Sequence, residues 1–113
     1  MNTEKTLFSK IIDNEIPAEI VYQDEKCIVI KDINPKAKVH LLIIPVKVIT
    51  SLASLTPEDK DLMGHMMMLL PQLANTQGLE GFKTIINTGK ISETESQEVP
   101  HLHIHLLGDL CTK

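Results

Sequence analysis

The sequence has few aromatic residues and no long apolar run. Its 113 residues include no tryptophan, one tyrosine and two phenylalanines. A platform on which successive nucleic-acid bases stack needs several exposed rings, so this scarcity argues against such a platform. No stretch approaches the roughly 20 consecutive apolar residues of a membrane-spanning helix. We therefore expect no membrane partner, and any pocket for a base must be largely aliphatic.

Positive charge is also in short supply. The chain has 15 acidic residues against 11 lysines and arginines, and its formal net charge is −4. Binding to a nucleic-acid backbone depends on a stripe of basic residues, and the sequence contains none. We therefore expect no nucleic-acid partner, whereas a small nucleotide in a local pocket remains compatible with this composition.

Cysteine is scarce as well. Cys27 and Cys111 lie far apart and form no C-x-x-C pair, and the first residues, MNTEKTLFSK, lack the apolar stretch of a secretory signal. Two thiols in a chain without an export signal are more often reduced than bridged. We interpret both as structural or incidental, and we expect a cytoplasmic protein.

Two segments have helical periodicity. Residues 6–13 place apolar side chains at helical spacing, which predicts a short amphipathic helix over a sheet: Leu7, Phe8, Ile11 and Ile12. The run Thr56-Pro57-Glu58-Asp59 combines a capping hydroxyl, a proline at the first helical position and two acids, which indicates the start of a long helix. Pro71 should kink or shorten that helix, and Gly78 should end it.

Five segments are typical of β-strands. Ile20 and Tyr22 pair with residues 27–30 as a hairpin, residues 39–44 form a central strand buried on both faces, and residues 82–87 and 99–107 complete the set. Most connections are short, so neighbouring strands should be antiparallel. We predict an α+β fold, with five strands and two helices, in one domain spanning residues 1–113.

Histidine alternates strictly with aliphatic residues in the last of these strands. The run 101–107 reads HLHIHLL, and a period of two directs His101, His103 and His105 to one face. A purification tag would be terminal, and three buried histidines in a row would be hard to satisfy by packing alone. Adjacent histidines lie ~6.6 Å apart on a strand, so two but hardly three can bind one ion. Acid–base and nucleophilic chemistry is favoured, and we expect no metal and no cofactor.

The run resembles the His-φ-His-φ-His-φ-φ signature of the histidine triad (HIT) superfamily. Further segments resemble its bacterial purine nucleoside phosphoramidase branch: Phe8-Ser9-Lys10-Ile11-Ile12, Glu15-Ile16-Pro17-Ala18, Tyr22-Gln23-Asp24, Asp32-Ile33-Asn34-Pro35, His40, Ile44-Pro45, Asn87-Thr88 and Gln97-Glu98-Val99. The resemblance covers nearly the whole chain. It implies a five-stranded antiparallel sheet with two helices, and a homodimer that joins two such sheets into one of ten strands.

The resemblance also implies a reaction. His103 would attack the α-phosphorus of a purine nucleoside 5'-phosphoramidate and form a nucleotidyl-histidine that water then cleaves. Its other ring nitrogen should donate to the carbonyl of His101, and His105 should contact the phosphate oxygens or the leaving atom. His40 and His101 would complete a proton relay. An imidazole, with an ordinary pKa of about 6.5, is a free nucleophile at neutral pH.

By the same resemblance the ligand is a purine nucleotide of the AMP or GMP type. Asp32 would bind the ribose hydroxyls, although a plain turn cap is an equally good interpretation of this residue from the sequence alone. The purine would be enclosed by Phe8, Ile11, Ile16, Ile33 and Leu42, and the phosphate would be contacted by Asn87, Gln97 and Val99. His65, alone on the long helix, is interpreted as a surface or interface residue.

One segment departs from the family pattern. Glu95-Ser96 stand where the family has Gly-Gly before the Gln-Glu-Val segment. Side chains at positions that favour positive φ should reshape the loop, and added acids oppose a phosphate's charge. Two alternatives therefore stay open beside the phosphoramidase: a nucleotide-binding regulatory dimer with weak hydrolysis, and a dinucleoside polyphosphate hydrolase.

Overall fold

The computed structural model describes residues 6–109. Cys111 lies outside that range. The elements follow in chain order: α1 (Leu7–Ile12), β1 (Ile20–Gln23), β2 (Cys27–Lys31), β3 (Val39–Pro45), two short 3-10 helices (Leu52–Ser54 and Pro57–Asp59), α2 (Lys60–Thr76), β4 (Lys83–Ile85) and β5 (Ile104–Gly108).

The strands form one five-stranded sheet in the order β1-β2-β3-β5-β4, and every neighbouring pair is antiparallel. This confirms the predicted α+β fold with five antiparallel strands and two helices. The central strand is β3, as expected. Its register against β5 sets His40 opposite Leu107 and Leu42 opposite His105.

Each face of the sheet packs against one helix. Side chains alternate along a strand, so β3 directs Leu41 and Ile43 to one face and Leu42 and Ile44 to the other. On the first face they join a buried cluster with α2: Cys27, Val29, Leu41, Ile43, Met66, Leu69, Leu70, Leu73, Ile104 and Leu106. On the second face they join a smaller cluster with α1: Phe8, Ile11, Ile28, Ile30, Leu42 and Ile44. We call these the α2 cluster and the α1 cluster.

The start of the long helix is built as the sequence predicts. The Thr56 side chain accepts from the Glu58 N–H, and the Asp59 carboxylate accepts from the Thr56 N–H, so a capping box closes the first turn. That turn is 3-10 rather than α. The helix continues through Pro71 to Thr76, and Gly78, with a φ of 74°, follows its end.

The last strand is shorter than the alternation predicts. It was expected over residues 99–107, but β5 begins at Ile104. The reason lies in the backbone hydrogen bonds, because the Leu102 N–H donates to the Ile49 carbonyl and the His101 N–H to the Val99 carbonyl. Alternation of side chains does not reveal which backbone groups enter a ladder. The strand expected over residues 82–87 is likewise reduced to Lys83–Ile85.

In the part of the chain that the structure describes, no helix has the length and apolar character needed to cross a membrane.

We predict that Ile104→Ala lowers the free energy of unfolding by about 2–5 kcal/mol, because it leaves a cavity in a close-packed core. Ile104 is fully buried in the α2 cluster. The matched control is Ile33→Ala, since Ile33 is 87% exposed and its loss should cost less than about 0.5 kcal/mol. Urea unfolding followed by circular dichroism measures both, and equal costs would contradict the assigned packing.

Candidate active site

A cavity of about 580 Å³ opens on the α1 face of the sheet. The cavity is lined by residues of the loop after β2, of β3, β4 and β5, and of the segments next to these strands: Asp32, Asn34, Lys36, Ala37, His40, Lys83, Ile85, Asn87, Glu98, His103, His105, Leu107, Gly108 and Asp109. The volume lies within the usual range of ligand pockets. Asp32, His40, Asn87, His103 and His105 were all predicted from the sequence as site residues.

The ring of His103 is held by a hydrogen bond to the backbone two residues before it. Its Nδ1 lies 2.8 Å from the carbonyl oxygen of His101, so Nδ1 carries the proton and donates. The ring is buried and packs edge-on against Phe8, with 4.8 Å between the ring centroids. The unprotonated nitrogen is therefore Nε2, and a lone pair on this atom is what a nucleophile needs.

His40 and His105 form a directed pair. The Lys36 N–H donates to His40 Nδ1 at 3.1 Å, which places the proton of His40 on Nε2. This Nε2 lies 2.9 Å from Nδ1 of His105 and donates to it. His105 consequently carries its own proton on Nε2, where it is a hydrogen-bond donor for a bound molecule.

Burial keeps these imidazoles neutral. It lowers the pKa of His105 to about 4, and the neighbouring His103 and His40 act in the same direction. Burial also lowers the pKa of His40, against the opposing effect of Asp32. The pKa of His101 is lowered by burial too. At neutral pH His40, His101 and His105 therefore present nitrogen lone pairs and N–H donors rather than imidazolium charges.

His101 lies apart from the His40–His105 pair. Its fully buried ring donates from Nε2 to the Pro45 carbonyl at 2.9 Å, and its Nδ1 lies 2.9 Å from Oγ1 of Thr6. The predicted relay of His40 with His101 is therefore corrected, because both ring nitrogens of His101 are engaged elsewhere. His101 acts on His103 through its carbonyl, which makes it a positioning residue.

Thr6 is a site residue that sequence reasoning missed. Its hydroxyl accepts from the Ser9 N–H as the N-cap of α1 and also contacts His101. A threonine before an apolar helical run is a recognisable capping signal, but nothing in the sequence shows that the same hydroxyl reaches a histidine 95 residues away. Lys36 and Lys83, which line the cavity, carried no such signal.

Asp32 caps a turn, as one of its two sequence interpretations predicts, and it also lines the cavity. One oxygen accepts from the Asn34 N–H at 2.8 Å and caps the turn after β2. The other lies 3.4 Å from Nε2 of His40 at the wall of the cavity. A single carboxylate thus holds the turn and presents an acceptor to whatever the cavity binds.

The residues predicted to enclose a purine fall into two groups. Phe8, Ile11 and Leu42 belong to the buried α1 cluster, and Ile16 packs against it. Ile33 lies outside that cluster and is 87% exposed. The α1 cluster adjoins the cavity through the contact of Phe8 with His103.

The phosphate contacts predicted from the loop are only partly brought to the cavity. Asn87 lines it, whereas Val99 packs against the α1 cluster. The side-chain NH2 of Gln97 donates to the Thr50 and Val99 carbonyls at 2.7 and 2.8 Å, and its oxygen accepts from the Gly89 N–H. Both N–H donors of Gln97 are used, so this residue supports the loop instead of offering a donor to a phosphate.

The loop that carries Glu95 and Ser96 does not require the glycines that the family has at these two positions. Within residues 6–109, Asn14 is the one non-glycine residue with positive φ, so Glu95 and Ser96 adopt ordinary backbone angles. The loop turns at residues 91–95, where the Ile91 and Ser92 N–H groups donate to the Glu95 carbonyl, and Gly89, with a φ of 62°, precedes this turn. Glu95 and Ser96 line a smaller cavity of about 260 Å³, which shares Asn87 and Glu98 with the main one. The departure changes charge beside the site without straining the backbone.

Three side chains of the cavity have the geometry of a metal-binding group. Ligand atoms of Asp32, His40 and His105 all lie within 4.8 Å of one another. The same nitrogen atoms of His40 and His105 already form the hydrogen bond between the two rings. A metal here would have to break the hydrogen bond through which His40 orients His105.

Comparisons with known proteins agree with this geometry. Residues 5–112 match the family described as "Scavenger mRNA decapping enzyme C-term binding". The chain is 49% identical to Protein HitA of Neisseria gonorrhoeae over 106 residues, which are 93% of this chain and 96% of that protein. It is 40% identical to the purine nucleoside phosphoramidase of Escherichia coli K12, covering 93% of this chain and 87% of that protein.

Solved structures give the same result. A HIT family hydrolase from Clostridium thermocellum superposes with a TM-score of 0.87 at 36% identity, covering 99% of this chain and 96% of that one. A histidine triad protein from Clostridium difficile gives a TM-score of 0.86 at 33% identity, covering 100% and 97%. The chain therefore belongs to the histidine triad family of nucleotide hydrolases.

We predict that part of the acid sensitivity of this fold comes from His105. The unfolded chain binds a proton near pH 6.5 while folded His105 resists protonation until about pH 4. Stability should be complete above the first value and should fall as the pH drops through this window. Urea unfolding across the window should show a smaller loss for His105→Asn than for the wild-type chain. Equal losses in the two proteins would contradict the assigned burial of His105.

Proposed function

We propose that this protein cleaves the P–N bond of purine nucleoside 5'-phosphoramidates and releases the nucleoside monophosphate through a nucleotidyl-histidine on His103. The observation that carries the proposal is the hydrogen bond from His103 Nδ1–H to the His101 carbonyl, which leaves Nε2 as the lone-pair nitrogen in a residue lining the cavity. The E. coli relative named as a purine nucleoside phosphoramidase supports it.

In the first step, the Nε2 lone pair of His103 forms a bond to phosphorus, and the P–N electron pair leaves with the amine. The amine needs a proton. Burial lowers the pKa of His105 to about 4, so this ring is neutral at neutral pH unless a nearby charge acts on it. A bound phosphate places negative charge beside this ring, which favours its protonated form. His105 then donates from Nε2 to the leaving nitrogen.

In the second step, water attacks the phosphorus and His103 leaves as neutral imidazole. His105, neutral after the first step, accepts the proton of the attacking water. While His105 is neutral, the Nε2–H of His40 donates to His105 Nδ1 at 2.9 Å and orients the ring. When His105 takes up its second proton, on Nδ1, this hydrogen bond opens and the His40 Nε2–H turns to the Asp32 carboxylate, 3.4 Å away. The proposed cycle uses only these imidazoles and water.

Recognition of the nucleotide divides between the two sides of the cavity. In the proposed complex the Asp32 oxygen that faces His40 accepts from the ribose hydroxyls, and the α1 cluster with Ile16 and Ile33 contacts the purine. Asn87 contacts the phosphate, and Lys36 and Lys83 supply positive charge at the cavity wall. Gln97 and Val99 hold the loop that carries Glu98, since Gln97 Nε2 donates to the Val99 carbonyl.

We also propose that two copies pair along β4 into a ten-stranded antiparallel sheet. All three residues of β4 are exposed at the sheet edge, which is a template for a further strand. Phe82 is 43% exposed beside it. Light scattering should give the mass of a dimer for the wild-type chain and of a monomer for Thr84→Pro, because proline removes a backbone donor from the edge. A monomeric wild-type chain would contradict this pairing.

We predict that the wild-type protein releases AMP from adenosine 5'-phosphoramidate and that His103→Ala lowers kcat by at least a hundredfold while leaving the Kd for AMP within about threefold. The matched control is His65→Gln, a histidine on the opposite face of the sheet, which should retain wild-type turnover. A dinucleoside polyphosphate is assayed in parallel. Faster cleavage of that compound, or more than a few per cent of activity in His103→Ala, would overturn the proposed reaction.

We predict that Glu95→Gln raises kcat/KM for adenosine 5'-phosphoramidate by up to about fivefold at low salt, since an exposed charge near the phosphate costs about 1 kcal/mol at most. Added salt should reduce the gain in kcat/KM, because salt screens the interaction between exposed charges over a Debye length of about 8–10 Å. Glu93→Gln makes the same charge change in the same loop outside the residues lining either cavity. Equal effects of the two variants would show that Glu95 has no special place beside the phosphate.

A further inference from the structure

A second group of chemically active side chains lies on the face of the sheet opposite the cavity. Asp24 belongs to the turn between β1 and β2, Cys27 is the first residue of β2, and His65 lies on α2. One ligand atom from each lies within 4.8 Å of the other two. Cys27 is a member of the α2 cluster, which the sheet separates from the α1 cluster and the cavity.

The carboxylate of Asp24 is the centre of this group. Its Oδ2 accepts from the Tyr22 hydroxyl and from His65 Nε2, each at 2.7 Å. Its Oδ1 accepts from the backbone N–H groups of Lys26 and Cys27 at 2.8 and 2.9 Å. The sulfur of Cys27 lies within 4.8 Å of ligand atoms of both Asp24 and His65. An oxygen, a nitrogen and a sulfur atom therefore lie within 4.8 Å of one another.

We propose that Asp24, Cys27 and His65 bind a divalent cation of the zinc class, with the carboxylate, the thiolate and the imidazole as three ligands and water as the fourth. These are the three side-chain types that zinc takes in tetrahedral sites. Around such an ion the carboxylate oxygen and the imidazole nitrogen would lie about 3.3 Å apart, so their present hydrogen bond must open by about 0.6 Å.

The chemistry of the thiol sets the selectivity of this site. Cysteine binds a metal as the thiolate, so an ion must displace the thiol proton, and one proton is released when the sulfur–metal bond forms. The imidazole proton moves from Nε2 to Nδ1 and is retained. Zinc, cobalt and cadmium bind thiolate strongly enough for this exchange, whereas magnesium and calcium prefer oxygen ligands.

The proposed site is partly open to solvent, and its carboxylate is held by further hydrogen bonds. The side chains of His65 and Asp24 are 31% and 24% exposed, whereas Cys27 is fully buried. An ion therefore reaches the nitrogen and oxygen ligands from solvent, and reaches the sulfur through a local movement of the β1–β2 turn. The Tyr22 hydroxyl and two backbone N–H groups hold the carboxylate in place, as outer partners do in established metal sites. A bound ion would link the β1–β2 turn to α2 and stabilise the fold.

Cobalt titration tests the proposal, because a thiolate ligand gives Co2+ a near-ultraviolet charge-transfer band. We expect the band in the wild-type chain and in Cys111→Ser, which removes the other thiol. We also expect it in His105→Ala, which breaks the sulfur-free group of Asp32, His40 and His105. It should disappear in Cys27→Ser. Absence of the band in the wild-type chain, or its survival in Cys27→Ser, would overturn the site.

Thermal unfolding gives an independent readout that does not depend on a substitution in the core. Zn2+ should raise the Tm of the wild-type chain, and the rise should be lost in His65→Gln, whose side-chain amide still donates to Asp24. Mg2+ should not raise the Tm of the wild-type chain or of His65→Gln. A chelator should remove the zinc-dependent rise without lowering turnover. Equal zinc-dependent shifts in the wild-type chain and His65→Gln would contradict ligation by His65.

Discussion

The hydrogen bond from His103 Nδ1–H to the His101 carbonyl is the constraint on which the candidate site depends. It exists because β5 begins at Ile104, which leaves that carbonyl outside the strand ladder. Had the strand extended to residue 99, as the alternation predicts, this carbonyl could have been committed to a neighbouring strand. The shortened strand is therefore part of the chemistry, since it fixes the tautomer of the nucleophile.

Much of the fold could be predicted from the sequence because its signals are local. Residues 39–44 read as a strand buried on both faces, and Thr56 read as a helix cap, from neighbours within a few positions. The ends of β4 and β5 could not be predicted, because they depend on long-range hydrogen bonds such as that from Leu102 N–H to the Ile49 carbonyl. Side-chain periodicity carries no information about such partners.

The candidate site divides along the same line. The residue types of His103, His105 and His40 indicate imidazole chemistry on their own, and the cavity brings them together. What the sequence concealed is the direction of each hydrogen bond. His101 turns away to the Pro45 carbonyl, and the donors of Gln97 are used by the loop, although both carry the family pattern. A motif specifies which side chains are present, whereas tautomers and partners follow from the assembled fold.

Helix α1 is only six residues long, too short to persist in water by its own hydrogen bonds. Its stability comes from Phe8 and Ile11 in the α1 cluster and from the contact of its cap, Thr6, with His101. Local opening of this helix would release the ring that packs on His103 together with the hydroxyl that holds His101. The free energy that opens the N-terminal segment is therefore also the free energy that disrupts the site. Amide hydrogen exchange in α1 measures this free energy and so reports whether His103 is held in place.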